Sequence, residues 1–193
     1  VLVIADENAN PKYIAADLMS QAEHDKLASA LLVTTSRDLV AKVNGELVRQ
    51  MAYLSRRDII EESLVNYGGA IIVDNLNEAF DVSNYLAPEH LEVLVDNPVN
   101  MLPKIKNAGS IFLVEHTPEP LGDYMSGTNH VLPTGGTAKF YSALGVYDFV
   151  KYSSYSYYPK KVLGEFKEDV IKFAKSEGLD AHANSVAVRF EEE

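Results

Sequence analysis

Two side chains with metal-binding capacity lie close together in the stretch "QAEHD". Gln21 and His24 are three residues apart, so a helix would present both on one face. They would offer an oxygen and an imidazole nitrogen to a single coordination sphere. A solvated helix end is the commoner explanation of such a pair, and Gln is an uncommon zinc ligand. Taken alone, the pair indicates a site only weakly.

A carboxylate and an imidazole are adjacent in "APEHLE". Glu89 and His90 stand between a helix that Pro88 must end and a following apolar strand. This pair of groups is what general acid–base chemistry requires. An exposed connecting turn explains the same residues about equally well. The expected position at a sheet edge favours the catalytic interpretation slightly.

The stretch "LGDYMSGTNHVLPTGGTAKF", residues 121–140, lacks a periodic apolar pattern and is predicted to be a long loop. Asp123 is a candidate metal carboxylate and His130 a candidate substrate contact. The alternative is an ordered loop in which Asp123 and Asn129 cap turns.

A fourth candidate lies near the end of the chain, in "SEGLDAHANS". Glu177 and His182 flank a turn that Gly178 marks as a helix end. Composition alone favours a solvated tail here.

The four stretches together contain a complete set of nitrogen and oxygen ligands. The chain has no cysteine, so a thiolate site is excluded. Such a set suits zinc or another borderline cation such as manganese. The candidate ligands are Gln21, His24, Asp123 and His182.

Five β-branched apolar runs alternate with segments of helical spacing and must position these residues. This alternation predicts an α/β fold with a Rossmann-like, parallel, five-stranded sheet and flanking helices. Asn10–Pro11 and Ser36 are helix-start signals. The predicted strands are residues 1–5, 30–35, 70–74, 91–96 and 110–114, and the predicted helices are residues 11–29, 36–54, 75–86 and 97–107.

Ligands of such sheets gather at the carboxyl ends of the strands. This rule places Asp6, the neighbourhood of Glu89 and the loop after Val114 at one edge. A GxGxxG dinucleotide fingerprint is missing from the sequence.

The pattern changes near residue 147, which divides a catalytic and zinc-ligand domain, 1–146, from a tail, 147–193. The tail contains a tyrosine-rich strand or linker, whose rings we expect to pack on a neighbour, and then two helices. The tail is therefore predicted to be small and helical.

Composition narrows the range of possible partners and locations of the protein. The 193 residues carry a formal net charge of −11, which disfavours nucleic acids and anionic membranes as partners. No apolar run approaches the roughly 20 residues that span a bilayer. A cytoplasmic location is expected.

The combination of "DLMSQAEHD", "YLAPEHLEV" and "TPEPLGDYMSGTNHVLPTGGTAKFYSALGVYDFVK" closely resembles histidinol dehydrogenase, over nearly the whole chain. The resemblance implies a zinc enzyme that oxidises L-histidinol to L-histidine with two NAD in succession. It assigns the zinc to Gln21, His24, Asp123 and His182. These four residues, together with Glu89, His90, His130 and Glu177, are the implied substrate contacts.

The resemblance also implies roles and a partner. His90 would be the general base for the oxidation, and Glu89 would activate water in the second half-reaction. The zinc would mainly orient the substrate. The family forms an intertwined homodimer, so Glu177 and His182 would complete the site of a second copy.

Two departures limit this resemblance. The family has an upstream half with most NAD contacts and a substrate-binding serine, so we expect this chain to be a piece of a longer protein, inactive alone. Glu115 and His116 replace a glycine-containing turn and have no transferable role. A non-catalytic dimerisation or binding module is one alternative, and a metal-dependent hydrolase using Glu89 is another.

Overall fold

A computed structural model describes residues 1–191 and contains one parallel sheet of five strands. The strands are β1 (Leu2–Ala5), β2 (Ala30–Thr34), β3 (Gly68–Ile72), β4 (His90–Leu94) and β5 (Ser110–Leu113). The strand order is β3-β2-β1-β4-β5, which is the order of a Rossmann-like sheet. The predicted fold class is confirmed.

Five helices belong to the same compact unit, Val1–Phe149. Asn10 accepts a hydrogen bond from the Lys12 amide and Ser36 accepts one from the Leu39 amide, so both predicted helix starts are caps. Asn75 caps the fourth helix in the same way, through the Glu78 amide. The helices are α1 (Pro11–Ala22), α2 (Arg37–Met51), α3 (Arg57–Tyr67), α4 (Leu76–Leu86) and α5 (Glu119–Tyr124).

The two faces of the sheet carry separate apolar clusters. Val3, Ala5 and Leu94 pack with α1 and α2 on one face, and Leu91 and Val93 pack with α4 on the other. Successive residues of a strand point to opposite faces, so β4 contributes to both clusters. His90 and Glu92 alternate with Leu91 and Val93, which places them on the α1 face.

Several segments differ from the sequence prediction. One long helix was expected after β2, but α2 and α3 both lie between β2 and β3. Residues 98–104 form a 3-10 helix, consistent with Pro98 and Pro103. The expected loop at residues 121–140 begins inside α5.

The second unit begins at Val150 and contains α6 (Lys160–Ser176) and α7 (Asp180–Ala187). Lys160 and Lys167 place their ammonium groups 5.8 and 5.3 Å from the centre of the Phe190 ring. The tyrosine-rich segment before α6 is irregular, and its rings are exposed, with Tyr155 at 94%. Of the two predicted alternatives, strand or linker, the segment is a linker, and most of its rings do not pack on a neighbour within residues 1–191.

Among residues 1–191, no helix combines the length and apolar character needed to cross a membrane. The cytoplasmic location stays a prediction.

The β4 core gives the first testable prediction. Leu91 is fully buried between β1 and β5, so Leu91→Ala should lower the free energy of unfolding by about 2–5 kcal/mol. Urea unfolding monitored by circular dichroism measures this change in the free energy of unfolding. Val65→Ala, on an exposed face of α3, is the matched control and should change stability by less than about 0.5 kcal/mol. Equal effects of the two variants would contradict this core assignment.

Candidate functional site

The candidate residues of the first unit lie at the amino ends of the strands. His90 is the first residue of β4, and Glu89 directly precedes it. Gln21 is near the end of α1, and its Oε1 accepts a hydrogen bond from the backbone nitrogen of Val1, 2.9 Å away, just before β1. The expectation that Glu89 shares the carboxyl edge with Asp6 and Val114 is therefore wrong. Glu89 sits at the opposite edge because the strand begins, rather than ends, beside it.

At the carboxyl edge of the sheet, the carboxylate of Asp6 accepts hydrogen bonds from nearby backbone amides. Asp6 accepts hydrogen bonds from the backbone amides of Asn8, at 3.0 Å, and Asp96, at 2.7 Å. A dinucleotide-binding turn needs glycine and amides free to meet phosphate, whereas the β1–α1 turn, residues 6–10, has no glycine. A carboxylate there repels phosphate. These residues do not fit an NAD site.

His90 is buried at the other edge. Its Nε2 lies 3.6 Å from Oε1 of Glu119, which is longer than a hydrogen bond, and its ring centre lies 6.0 Å from that of Phe112. Burial is the main cause that lowers the pKa of His90 to about 4. The imidazole is therefore neutral at pH 7 and able to accept a proton.

Glu119 and Asp123 reach the site from α5. Four residues apart on a helix, they share a face. One ligand atom each from His90, Glu119 and Asp123 lies within 4.8 Å of the others. Burial, followed by the charge of Asp123, raises the pKa of Glu119 to about 7. Sequence analysis gave Glu119 no role, although its spacing from Asp123 was a usable signal.

Asp123 is paired with His130, as expected for two residues of one site. The Nδ1 of His130 lies 2.8 Å from Oδ1 of Asp123. This hydrogen bond, together with the charge of Asp123, raises the pKa of His130 above its ordinary value. His130 is exposed, whereas the Asp123 side chain is mostly covered. His130 therefore fixes the orientation of the Asp123 carboxylate while facing outward.

Glu89 is half-buried, and burial is the main cause that raises its pKa. The charges of Asp123, His130 and His24 also act on both Glu89 and His90. Glu89 and His90 thus lie within electrostatic reach of the other predicted charged residues of this unit. Gln21 and Glu89 line one cavity of about 460 Å³.

A further buried carboxyl, that of Glu92 on β4, contacts the start of α5. Glu92 is 1% exposed, and its Oε1 accepts a hydrogen bond from the Glu119 amide at 3.1 Å. Burial raises the pKa of Glu92, and the nearby Asp17 carboxyl on α1 raises it further. The motif "YLAPEHLEV" contains Glu92, to which the sequence prediction gives no role. Its signal is a charged residue at a central-strand position, two residues after His90.

The donor atoms suit a zinc ion. The ligands predicted from the sequence would offer two oxygens, from Gln21 and Asp123, and an imidazole nitrogen from His24, and these roles stay predictions; of the three, only Asp123 belongs to the group of ligand atoms that lie within 4.8 Å of one another. Oxygen and nitrogen donors without thiolate are compatible with zinc.

The remaining predicted residues belong to the second unit. Glu177 ends α6, and Gly178 follows it with φ of 74°, as the sequence predicted for a helix end. His182 is an exposed residue of α7. Their roles stay predictions.

The family model described as "Histidinol dehydrogenase" matches residues 1–190. A protein of Lactococcus lactis named histidinol dehydrogenase is 74% identical over 192 residues, which is 100% of this chain and 44% of the relative. One of Caldanaerobacter subterraneus with the same name is 60% identical over 97% of this chain and 44% of its own length.

A solved structure agrees with these relatives. The crystal structure of histidinol dehydrogenase from Elizabethkingia anophelis superimposes with a TM-score of 0.92 and 38% identity, covering 97% of this chain and 43% of that chain. This chain therefore spans less than half the length of the relatives it matches.

The contrast between His90 and His130 is directly testable by NMR titration of the histidine rings. We expect His90 to titrate near pH 4 and His130 above 6.5. The Asp123–His130 ion pair is complete below pH 6.5 and is lost as the pH rises through the raised pKa of His130. Asp123→Asn removes the charge and should return His130 towards 6.5.

Glu115→Gln is the matched control, because Glu115 is an exposed acid that pairs with His116, 3.4 Å away. It should leave both midpoints unchanged. A His130 midpoint at or below 6.5, or one insensitive to Asp123→Asn, would contradict the pairing.

Proposed function

This chain belongs to the histidinol dehydrogenase family, and from that premise we propose that it carries the metal- and substrate-binding part of an enzyme that oxidises L-histidinol to L-histidine. The observation that supports this most is the convergence of His90, Glu119 and Asp123 within 4.8 Å at a covered sheet edge, with Glu89 beside them. A buried base next to oriented oxygen and nitrogen ligands suits oxidation of a small amino alcohol.

The metal ligands in this proposal are Gln21, His24 and Asp123, joined by His182. A zinc ion held there would fix the amino and imidazole nitrogens of histidinol. The oriented Asp123 carboxylate lowers the reorganisation that ligation requires, because His130 already restricts its rotation. His130 also faces outward, where it can contact the substrate.

His90 is the proposed general base for the alcohol. Its ring is neutral at pH 7 because burial disfavours the charged form, so its lone pair is available for the hydroxyl proton. Glu119, 3.6 Å from His90 Nε2, lies where a positive charge would form as the ring takes that proton. The ionised form of Glu119, whose pKa is about 7, would stabilise the resulting imidazolium.

Glu89 is the proposed base for the second half of the reaction. It must withdraw a proton from the water that attacks the aldehyde-level carbon. Burial raises its pKa, which makes its carboxylate more basic than a fully solvated one. Its adjacency to His90 places both bases against one substrate.

We assign NAD binding to the part of the family's length that this chain does not span. The β1–α1 turn and the Asp6 carboxylate do not fit a dinucleotide phosphate. This chain by itself should therefore bind metal and substrate without oxidising the substrate.

The second unit is the proposed contribution to a homodimer. Glu177 and His182 are the substrate and metal residues that this unit would supply to a second copy. The exposed rings before α6, with Tyr155 at 94% and Tyr157 at 84%, support burial against a partner.

The proposal is tested by titrating zinc, and then L-histidinol, into the metal-free chain by calorimetry. Tight zinc binding is expected, and histidinol should bind only after zinc. His24→Ala, Asp123→Ala and His182→Ala each remove one ligand and should weaken zinc binding at least about tenfold.

His116→Ala is the matched control, because His116 is an exposed histidine outside the ligand set. It should bind zinc like the unaltered chain. Zinc binding that survives His24→Ala and Asp123→Ala, or that His116→Ala weakens equally, would refute the assigned ligands.

A further inference from the structure

We infer that Glu92 and Asp17 are positioning residues that fix the start of α5 and thereby the placement of Glu119 and Asp123. This inference rests on the proposed function, because it gives these two residues a task in the same site. They contact neither the metal nor the substrate, and act through the backbone of α5.

The helix that carries Glu119 and Asp123 cannot hold its own position. α5 has six residues, and isolated helices shorter than about 12 residues are marginal in water. Its sequence includes Pro120 and Gly122, which lower helix propensity. Within residues 1–191, no side chain caps α5 at Pro118. Contacts from the sheet must therefore determine where α5 begins.

Glu92 supplies one such contact. Its Oε1 accepts the Glu119 N–H at 3.1 Å, and both residues are buried. A backbone amide at a helix start needs an acceptor, and leaving it unpaired when buried costs about 1–3 kcal/mol. The acceptor here comes from the middle of β4, a strand that is paired with a neighbour on both sides.

Phe112 supplies the second contact, from the residue paired with Glu92 in the neighbouring strand. Gly122 packs so closely that a Cβ atom there would lie 2.6 Å from Cε1 of Phe112. Two laterally paired strand residues therefore hold α5, one by a hydrogen bond and one by packing.

Asp17 is the acid on α1 that can pair with the second oxygen of Glu92. Among the described residues, Glu92 Oε2 is buried and has no hydrogen-bond partner. The nearby Asp17 carboxyl raises the pKa of Glu92 beyond the effect of burial. Two carboxyls can bond only when one holds a proton, and burial favours the neutral form of Glu92. A proton on Oε2 would let Glu92 donate to Asp17 while Oε1 accepts from Glu119, and both oxygens would then be paired.

This arrangement links the elements that carry the proposed ligands. α1 carries Asp17 and, one turn later, Gln21. β4 carries His90 and Glu92, and α5 carries Asp123. The buried pair thus fixes α5 relative to both β4 and α1.

The test compares Glu92→Gln with Glu92→Leu in the full chain without metal, by amide hydrogen exchange measured with NMR. Gln has the shape of neutral Glu, accepts through Oε1 and donates through Nε2 to Asp17. Leu has similar volume but neither function. The Glu119 amide should exchange at least about tenfold faster in Glu92→Leu than in the unaltered chain, after normalisation to the β1 amides. Glu92→Gln should keep its protection.

A second readout separates positioning from general stability. Zinc affinity, measured where both variants are fully folded, should fall about 10–100-fold in Glu92→Leu and stay within about threefold in Glu92→Gln. Asp17→Leu should resemble Glu92→Leu, whereas Asp17→Asn, which can still donate to Glu92, should resemble the unaltered chain.

The possible outcomes distinguish failure of the positioning role from failure of the proposed function. Equal Glu119 protection and equal zinc affinity in Glu92→Leu and Glu92→Gln would overturn the inference, even if zinc binds through Asp123. Loss of Glu119 protection in Glu92→Leu, in a chain that binds no zinc at all, would support the positioning role and refute the proposed function. If Glu92→Leu fails to fold, Asp17→Leu is compared with Asp17→Asn instead. Equal Glu119 amide exchange and equal zinc affinity in these two variants would then overturn the inference.

Discussion

The alternation of side chains along β4 is the constraint on which the rest of the site depends. Because neighbouring residues of a strand face opposite sides, Leu91 and Val93 anchor one apolar cluster while His90 and Glu92 point to the other side. A register shift of one residue would expose the two polar groups to α4 and remove both anchors. The same pattern that builds the core therefore aims the proposed base and the carboxyl that holds α5.

Burial then sets the chemistry of these groups. Removing His90 from water lowers its pKa, and removing Glu119 and Glu92 from water raises theirs, so the groups favour neutral forms. Charge is kept at Asp123, which His130 pairs from the exposed side. The site is consequently a set of neutral proton acceptors and donors around one oriented carboxylate. This arrangement suits proton transfer in a site where a metal ion provides the orientation.

The sequence predicted the sheet, most strands and two helix caps because these follow from local patterns of apolar residues and from short-range hydrogen bonds. It also named Gln21, His24, Glu89, His90, Asp123 and His130 as candidates, and their roles stay predictions. It assigned Glu89 to the wrong edge, because a residue that directly precedes a parallel strand lies at the amino end of the sheet and not at the carboxyl end. It missed α5, because Pro118, Pro120 and Gly122 disguise a helix held by distant contacts. The roles of Glu119 and Glu92 depend on pairing across 27 residues, which local spacing does not reveal.

The most direct test of this account is the location of zinc in crystals of the zinc-loaded chain, by anomalous diffraction at the zinc edge. A peak is expected at the amino edge of the sheet, coordinated by Gln21, His24 and Asp123. A peak at the carboxyl edge instead, among Asp6, Asp96 and Glu115, would contradict it and return the site to the edge where Rossmann-like sheets ordinarily bind ligands.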